Sequence, residues 1–168
     1  RFRNVTGVQT CALPIYLNEA VRASVRLVGN AIKNATDHFA LELAAGLPSF
    51  EGSIQRIEQV VVNLIMNACQ SLQDKTKGIT VSTGYDFLHG VCTIQVRDEG
   101  QGIPPEILPR ITDPFFTTKR ETGGTGLGLS ICMRIVRSYG GTLEFQSVPG
   151  AGTTATLSLP AEKEVIAA

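Results

Sequence analysis

Asn63 and Asn67 stand four residues apart, the spacing at which two side chains leave one face of a helix together. A side-chain amide oxygen is a hard, neutral ligand, suited to a Mg²⁺ ion that keeps several waters and is otherwise held by nucleotide phosphates. A solvated helix face would use the same pair with no ligand at all. Asp98, Gly100 and Gly102 form a D-x-G-x-G segment. An ionised carboxylate only accepts hydrogen bonds, which suits the exocyclic amine of adenine, and the glycines let the backbone pass close to a planar ring. A capping aspartate in a tight turn is the plainer alternative.

Gly123, Gly124, Thr125, Gly126, Leu127, Gly128 and Leu129 run into an apolar periodic stretch. Glycine near a helix start costs roughly 0.5–1 kcal/mol relative to alanine, so a compensating role is expected. Exposed N–H groups at the positive end of a helix bind phosphate. No Lys-Ser/Thr follows Gly128, so the stretch is not a P-loop, and the segment before it is not a Rossmann strand. Between these glycines and Asp98 lies Asp113-Pro114-Phe115-Phe116-Thr117-Thr118-Lys119. Its paired aromatics could anchor a lid or plug a surface loop, and Lys119 and Arg120 could reach phosphate oxygens.

Hydrophobic periodicity places these residues on elements. Ser53 to Asp74 reads as a helix with Ser53 as N-cap. Arg56, Gln59, Asn63, Asn67, Gln70 and Asp74 share one stripe, and Ile54, Ile57, Val61, Ile65, Ala68 and Leu72 cover the opposite side. A helix this apolar that keeps a polar stripe faces water or a polar ligand. Ile79–Asp86 and Gly90–Asp98 read as strands joined near His89. In the second, Cys92, Ile94, Val96 and Asp98 fall on one face, so Asp98 continues an apolar row into the core. Leu17–Lys33 reads as one amphipathic helix started by Asn18 and ended by Asn34, followed by a short strand around Phe39–Leu43. Four of the eight prolines interrupt Glu99–Thr125, which reads as a long loop with a short helix near Glu106–Ile111. Leu127–Tyr139 resumes a helix stopped by Gly140 and Gly141, and strands Thr142–Ser147 and Thr153–Leu159 close the pattern.

Composition narrows the partners. Fifteen basic side chains balance fifteen acidic ones over 168 residues, which leaves no electrostatic footprint for nucleic acid or an anionic membrane. The longest apolar run, Val60–Met66, is broken by Asn63 and is far short of the ~20 residues that a membrane span needs. Direct membrane contact is not expected, and a soluble, cytoplasmic domain is. Cys11, Cys69, Cys92 and Cys132 make no C-x-x-C pair, so reduced thiols are expected and a zinc site or disulfide framework is not. Ten of the seventeen glycines lie at or after Gly100, which puts the unusual backbone demands in the C-terminal half.

Val5–Ile15 reads VTGVQTCALPI, and all eleven residues match the in-frame translation of a widely used sequencing-library adaptor. Residues 1–15 are therefore set aside from fold reasoning. The expected organisation is a non-native 1–15, one domain over 16–160, and a C-terminal tail over 161–168. Whatever natural sequence preceded Tyr16 is expected to be missing.

In order and spacing, four segments resemble the catalytic and ATP-binding domain of sensor histidine kinases, within the GHKL ATPase/kinase superfamily. NLIMNA at 63–68 is similar to the N box, DEGQG at 98–102 to the G1 box, DPFFTTK at 113–119 to the F box, and GGTGLGLS at 123–130 to the G2 box. The likeness runs from about Leu17 to Pro160. It implies an α/β (α+β) two-layer sandwich, a mixed and mostly antiparallel sheet with helices on one face, and ATP held between the N-box helix and a mobile lid. On that resemblance Asn67 ligates Mg²⁺, Asn63 orients the phosphates and metal shell, and Asp98 selects adenine. Asn63 and Lys119 become the catalytic candidates. Gly100, Gly102 and Ile103 of G1 join the nucleotide site, as do Phe115, Phe116, Thr118 and Lys119 of the lid. The G2 box adds Gly124, Thr125, Gly126, Leu127, Gly128 and Leu129.

The implied function is transfer of the ATP γ-phosphate to a histidine on a dimerisation domain absent from this fragment, with a response regulator receiver domain downstream. Two departures qualify the match. Many relatives place Lys or Arg three residues after the metal-binding Asn, where this chain has Gln70. No H-E/D-x-x-N/T-P phosphoacceptor motif occurs, and His38 and His89 read as structural. Two alternatives compete: a non-catalytic ATP-binding regulatory module, and a gyrase-like ATP hydrolase. The second is disfavoured because related ATPases carry a glutamate base where Asn63 stands.

Overall fold

The computed structural model describes residues 14–118 and 125–161. Seven strands and four helices follow in the order β1 (Pro14–Ile15), α1 (Leu17–Leu27), α2 (Gly29–Ala35), β2 (His38–Leu43), β3 (Phe50–Glu51), α3 (Ile54–Ser71), β4 (Gly78–Asp86), β5 (Val91–Asp98), α4 (Gly128–Ser138), β6 (Thr142–Val148) and β7 (Gly152–Pro160). A short 3₁₀ turn, Leu108–Arg110, interrupts the proline-rich stretch.

The main sheet has strand order β2-β4-β5-β7-β6, with β2 parallel to β4 and every other pair antiparallel. Alternation along the strands decides which face is covered. Cys92, Ile94, Val96 and Asp98 of β5 are buried, while Gln95 and Arg97 between them are exposed. All helices lie on the buried side: α3 packs on β5 and β7 and is flanked by α1, α2 and α4. The expected two-layer sandwich with a mixed sheet is what forms.

Its core joins Ile57, Val61 and Ile65 of α3 to Val21 of α1, Val136 of α4, and Val81, Ile94 and Leu157 of the sheet. Each such side chain contributes roughly 1.5–3 kcal/mol by leaving water. That burial holds the polar stripe of α3 at a fixed height above β5. Among the described residues, no helix is long and apolar enough to cross a membrane.

Several boundaries differ from expectation for local reasons. The first helix breaks at Val28 into α1 and α2. Ser24 is fully buried and donates to the Ala20 carbonyl at 2.7 Å, a back-bond that bends helices, and Gly29 then lowers helix propensity. Asn18 does not start α1, which begins at Leu17; its amide donates to Ala44 O at 2.8 Å and accepts from Thr83 Oγ1 at 2.7 Å, tying α1 to the sheet. Ser53 occupies the N-cap position of α3, but its hydroxyl meets Gln55 Oε1 rather than a helix N–H.

Helix α3 also ends at Ser71, three residues short of Asp74. Leu72 is extended, and Asp74 accepts from the Thr76 hydroxyl and, at 2.8 Å, from the Thr76 N–H, which together hold the Asp74 carboxyl below its usual range. Pro14–Ile15, the last residues of the set-aside segment, pair antiparallel with Phe50–Glu51, and Ile15 is buried.

Candidate functional site

A cavity of about 700 Å³ opens between α3, the segment after β5, residues 116–118 and the start of α4. Val96, Phe145, Thr153 and Ala155 of the sheet form its floor, and Asn63, Asn67 and Ser71 of α3 form one wall. Asn67 and Asp98 thus open onto one shared space.

Asp98 ends the central strand with only 6% of its surface exposed. A buried carboxylate needs partners, and two donors supply them: Ser71 Oγ and the Gly100 N–H, each 2.8 Å from Oδ1. Both bonds land on one oxygen, so Oδ2 remains to accept from a ligand. Glycine is required beside it, because a Cβ at Gly100 would lie 2.2 Å from Ser71 Oγ. The rest of the loop is stapled down by Gln101 N–H to Ser71 O at 3.0 Å, Gly150 N–H to Gln101 O at 2.7 Å, and Ile103 N–H to Ser147 Oγ at 2.8 Å. Gly102 takes φ +70°, and a Cβ there would stand 2.2 Å from Val148 O.

At the other end, Asn67 Nδ2 donates to Asn63 Oδ1 at 3.4 Å. That contact uses the Asn67 nitrogen and leaves its oxygen as the group that could hold a cation. Among the described residues no cluster of three or more His, Cys, Asp or Glu could hold a metal. An ion here would therefore depend on a neutral amide, waters and the ligand's own oxygens, a donor set that suits Mg²⁺. Gly128, the first residue of α4, comes so close that a Cβ would lie 2.6 Å from Asn63 Nδ2.

Among the described residues lining the cavity, Asp98 carries the only charge. The space is therefore amphipathic by position, with an apolar floor beside a lone carboxylate at one end and amides beside a helix start at the other.

Gly102, Ile103, Phe116, Thr118, Thr125, Gly126, Gly128 and Leu129 all line the cavity with Asn63, Asn67 and Asp98. Gly100, Phe115 and Leu127 do not. Gly100 packs under Ser71, Leu127 is the N-cap residue of α4, and Phe115 points outward with 67% of its surface exposed. The Phe115 backbone has φ +65°, and its N–H donates to Gly126 O at 2.9 Å, so it docks by main chain instead. Its neighbour Phe116 turns inward, with the Arg110 guanidinium 4.6 Å above its ring. Lys119 and Gly124 lie outside the described residues. His38 opens β2, and His89 closes the β4–β5 turn with Nδ1 2.7 Å from Asp86 Oδ2; neither lines the cavity.

Sequence reasoning missed Ser71, Thr153, Phe145 and Ala155. Ser71 had a signal, since 63, 67 and 71 repeat every four residues on α3. Thr153 had none, because only the register that pairs it with Asp98 brings it to the site. Among the described residues, burial pushes the Cys132 thiol up to about 12 and raises Cys69 and Cys92 as well, which keeps these thiols protonated.

Comparison with known proteins agrees with this geometry. Histidine kinase-, DNA gyrase B- and HSP90-like ATPases match residues 52–163, two thirds of the chain. The signal transduction histidine-protein kinase AtoS of Escherichia coli (strain K12) is 35% identical over 146 residues, which are 87% of this chain and 23% of AtoS. A putative sensor protein of Shewanella frigidimarina (strain NCIMB 400) is 35% identical over 139 residues, 83% of this chain and 21% of that protein. The chain thus spans about a fifth of these relatives' length.

The solved catalytic domain of histidine kinase ThkA superposes with a TM-score of 0.76 at 29% identity, covering 89% of this chain and 95% of that one. ThkA solved in complex with response regulator protein TrrA gives a TM-score of 0.73 at 27% identity, covering 91% of this chain and 42% of that one. An amide pair on a buried helix, a carboxylate ending the central strand, and a family match that spans both leave one assignment: this chain belongs to the histidine kinase-, DNA gyrase B- and HSP90-like ATPases, and within them to the sensor histidine kinase catalytic domains.

Proposed function

We propose that this domain binds Mg-ATP in the cavity and presents the γ-phosphate to a histidine on a separate dimerisation domain. The observation that carries the reading is the shared cavity of Asn67 and Asp98, floored by apolar sheet residues. Asp98 Oδ2 accepts from the adenine amine, the floor takes the ring, and the phosphates run toward Asn63, Asn67 and the start of α4. Asn67 Oδ1 is the group that holds Mg²⁺, which when bound neutralises phosphate charge. Lys119 is the proposed cation of the lid and completes the catalytic pair with Asn63. In the transfer, a P–N bond to the imidazole forms as the bond from the γ-phosphorus to the bridging oxygen breaks, and ADP leaves with the electron pair. The domain's part is orientation and electrostatics.

Charge placement favours transfer over hydrolysis. The one carboxylate among the described lining residues sits at the base end, held by Ser71 and Gly100, and Asn63 has no basicity with which to activate water. On this reading the whole protein carries the histidine domain and passes phosphate to a response regulator receiver domain on the cytoplasmic side, as the pairing of ThkA with TrrA suggests by analogy. Incubating the chain with Mg-ATP and a dimerisation module bearing the histidine in trans should give an acid-labile, base-stable phosphoprotein. Intact ATP binding with no phosphohistidine would leave a regulatory module, and phosphate release by the chain alone would point to a hydrolase.

Gly128→Ala separates fold from function. Alanine favours the helix by roughly 0.5–1 kcal/mol, and the clash it creates falls on the end of the Asn63 side chain rather than on backbone. Thermal stability should hold or rise. Displacing Asn63 by an ångström should lower phosphoryl transfer by about a hundredfold, while ADP affinity, read by titration calorimetry, stays near wild type.

A further inference from the structure

We infer that Ser71 is a positioning residue that sets base selectivity at this site through Asp98; the inference rests on the adenine reading above. Ser71 is the last residue of α3, and it meets the loop after β5 at three points. Its hydroxyl lies 2.8 Å from Asp98 Oδ1, its carbonyl accepts the Gln101 N–H at 3.0 Å, and its side chain occupies the space that a Cβ at Gly100 would need. The same hydroxyl lies 2.8 Å from Ala68 O, one turn back on the helix. A hydroxyl has one proton, and of its two acceptors Asp98 is the charged one, so the proton strengthens the carboxylate contact.

The consequence is rotational. A terminal carboxylate torsion is broad and roughly two-fold, so a buried aspartate needs fixed donors to present one chosen oxygen. With Ser71 on one side and the Gly100 N–H on the other, both converging on Oδ1, the group cannot swing. Oδ2 then faces the cavity as a pure acceptor. A base with an amine at that point is accepted, and one with an oxo group meets two opposed acceptors. Ser71 therefore acts on selectivity without touching the ligand's phosphates, and Asn63 and Asn67 on the same helix act on the other end. Two features at opposite ends of the nucleotide share one rigid element, which fixes the distance between the base reader and the phosphate wall.

The test is a double-mutant cycle on the full chain, with Mg-ADP and Mg-GDP titrated calorimetrically into wild type, Ser71→Ala, Asp98→Asn and the double variant. Without the hydroxyl the carboxylate is free to swing, and a binding-competent orientation populated about a tenth of the time should weaken ADP binding by about tenfold in Ser71→Ala. GDP binding should stay nearly constant, so the ADP-to-GDP ratio narrows by a similar factor. In the Asp98→Asn background, Ser71→Ala should have little further effect on either nucleotide. An unchanged ratio in Ser71→Ala overturns the proposal, as does an effect of equal size with and without the Asp98 carboxylate, which would mark Ser71 as packing alone. Wild type that binds ADP no better than GDP would instead sink the adenine reading and leave Ser71 with nothing to position.

Discussion

Asp98→Asn should lower ADP affinity by about thirtyfold or more, the cost of losing a hydrogen bond to a charged acceptor together with the mismatch that replaces it. The two orientations of the new amide are unequal. With its nitrogen at the Oδ1 position, it would face the Gly100 N–H, a main-chain donor 2.8 Å away that cannot turn. The amide therefore keeps its oxygen at Oδ1, where Ser71 and Gly100 are both satisfied. Its nitrogen then points into the cavity, a donor aimed at the adenine amine. Two donors meet, and adenine is rejected. A guanine nucleotide carries an oxo group at the same place, so GDP should lose little affinity or gain some. Because both protein donors keep an acceptor, thermal unfolding should shift by no more than a few degrees, and circular dichroism should be unchanged. Full ADP affinity in this variant would remove the base from this end of the cavity.

Much of this site was legible in the amino-acid order because the parts obey different local rules that happen to agree. The stripe from Arg56 to Gln70 is a matter of 3.6-residue periodicity, and the position of Asp98 at the end of an apolar row follows from two-residue alternation. Both hold in the fold: Asn63 and Asn67 leave α3 toward the cavity, and Asp98 is buried on the helix side of the sheet.

What was not legible depends on non-local pairing or on one-residue geometry. Phe145 and Ala155 reach the floor only because β6 and β7 pair across their hairpin and β7 pairs with β5. Phe115 and Phe116 are identical in type and adjacent, and only the left-handed backbone at Phe115, docked on Gly126, decides that the second turns inward. The break at Val28 comes from a buried serine whose hydroxyl competes within the helix, a choice that periodicity cannot register.

Asn67→Ala should erase the magnesium dependence of ATP binding. Wild-type affinity for ATP should fall when the metal is chelated, and the variant in excess Mg²⁺ should match that chelated value, a drop of about tenfold to a hundredfold by the scale of metal-site substitutions. The geometry makes the assignment specific to this side chain. The Asn67 nitrogen donates to Asn63 Oδ1, which leaves both lone pairs of the Asn67 oxygen for a cation, while Asn63 Oδ1 already accepts one hydrogen bond. Asn63→Ala should accordingly keep most of the metal-dependent binding and lose transfer instead, since it removes an orienting group rather than a ligand. Neither change threatens the fold, because both residues sit on the polar stripe and alanine is the better helix former by up to about 0.7 kcal/mol. The discriminating measurement is a pair of calorimetric titrations, with Mg²⁺ and with chelator, on each variant. If Asn67→Ala binds ATP tenfold better with Mg²⁺ than without, the ion is held elsewhere along the cavity, and the polar stripe of α3 serves to shape the phosphate wall rather than to coordinate a metal.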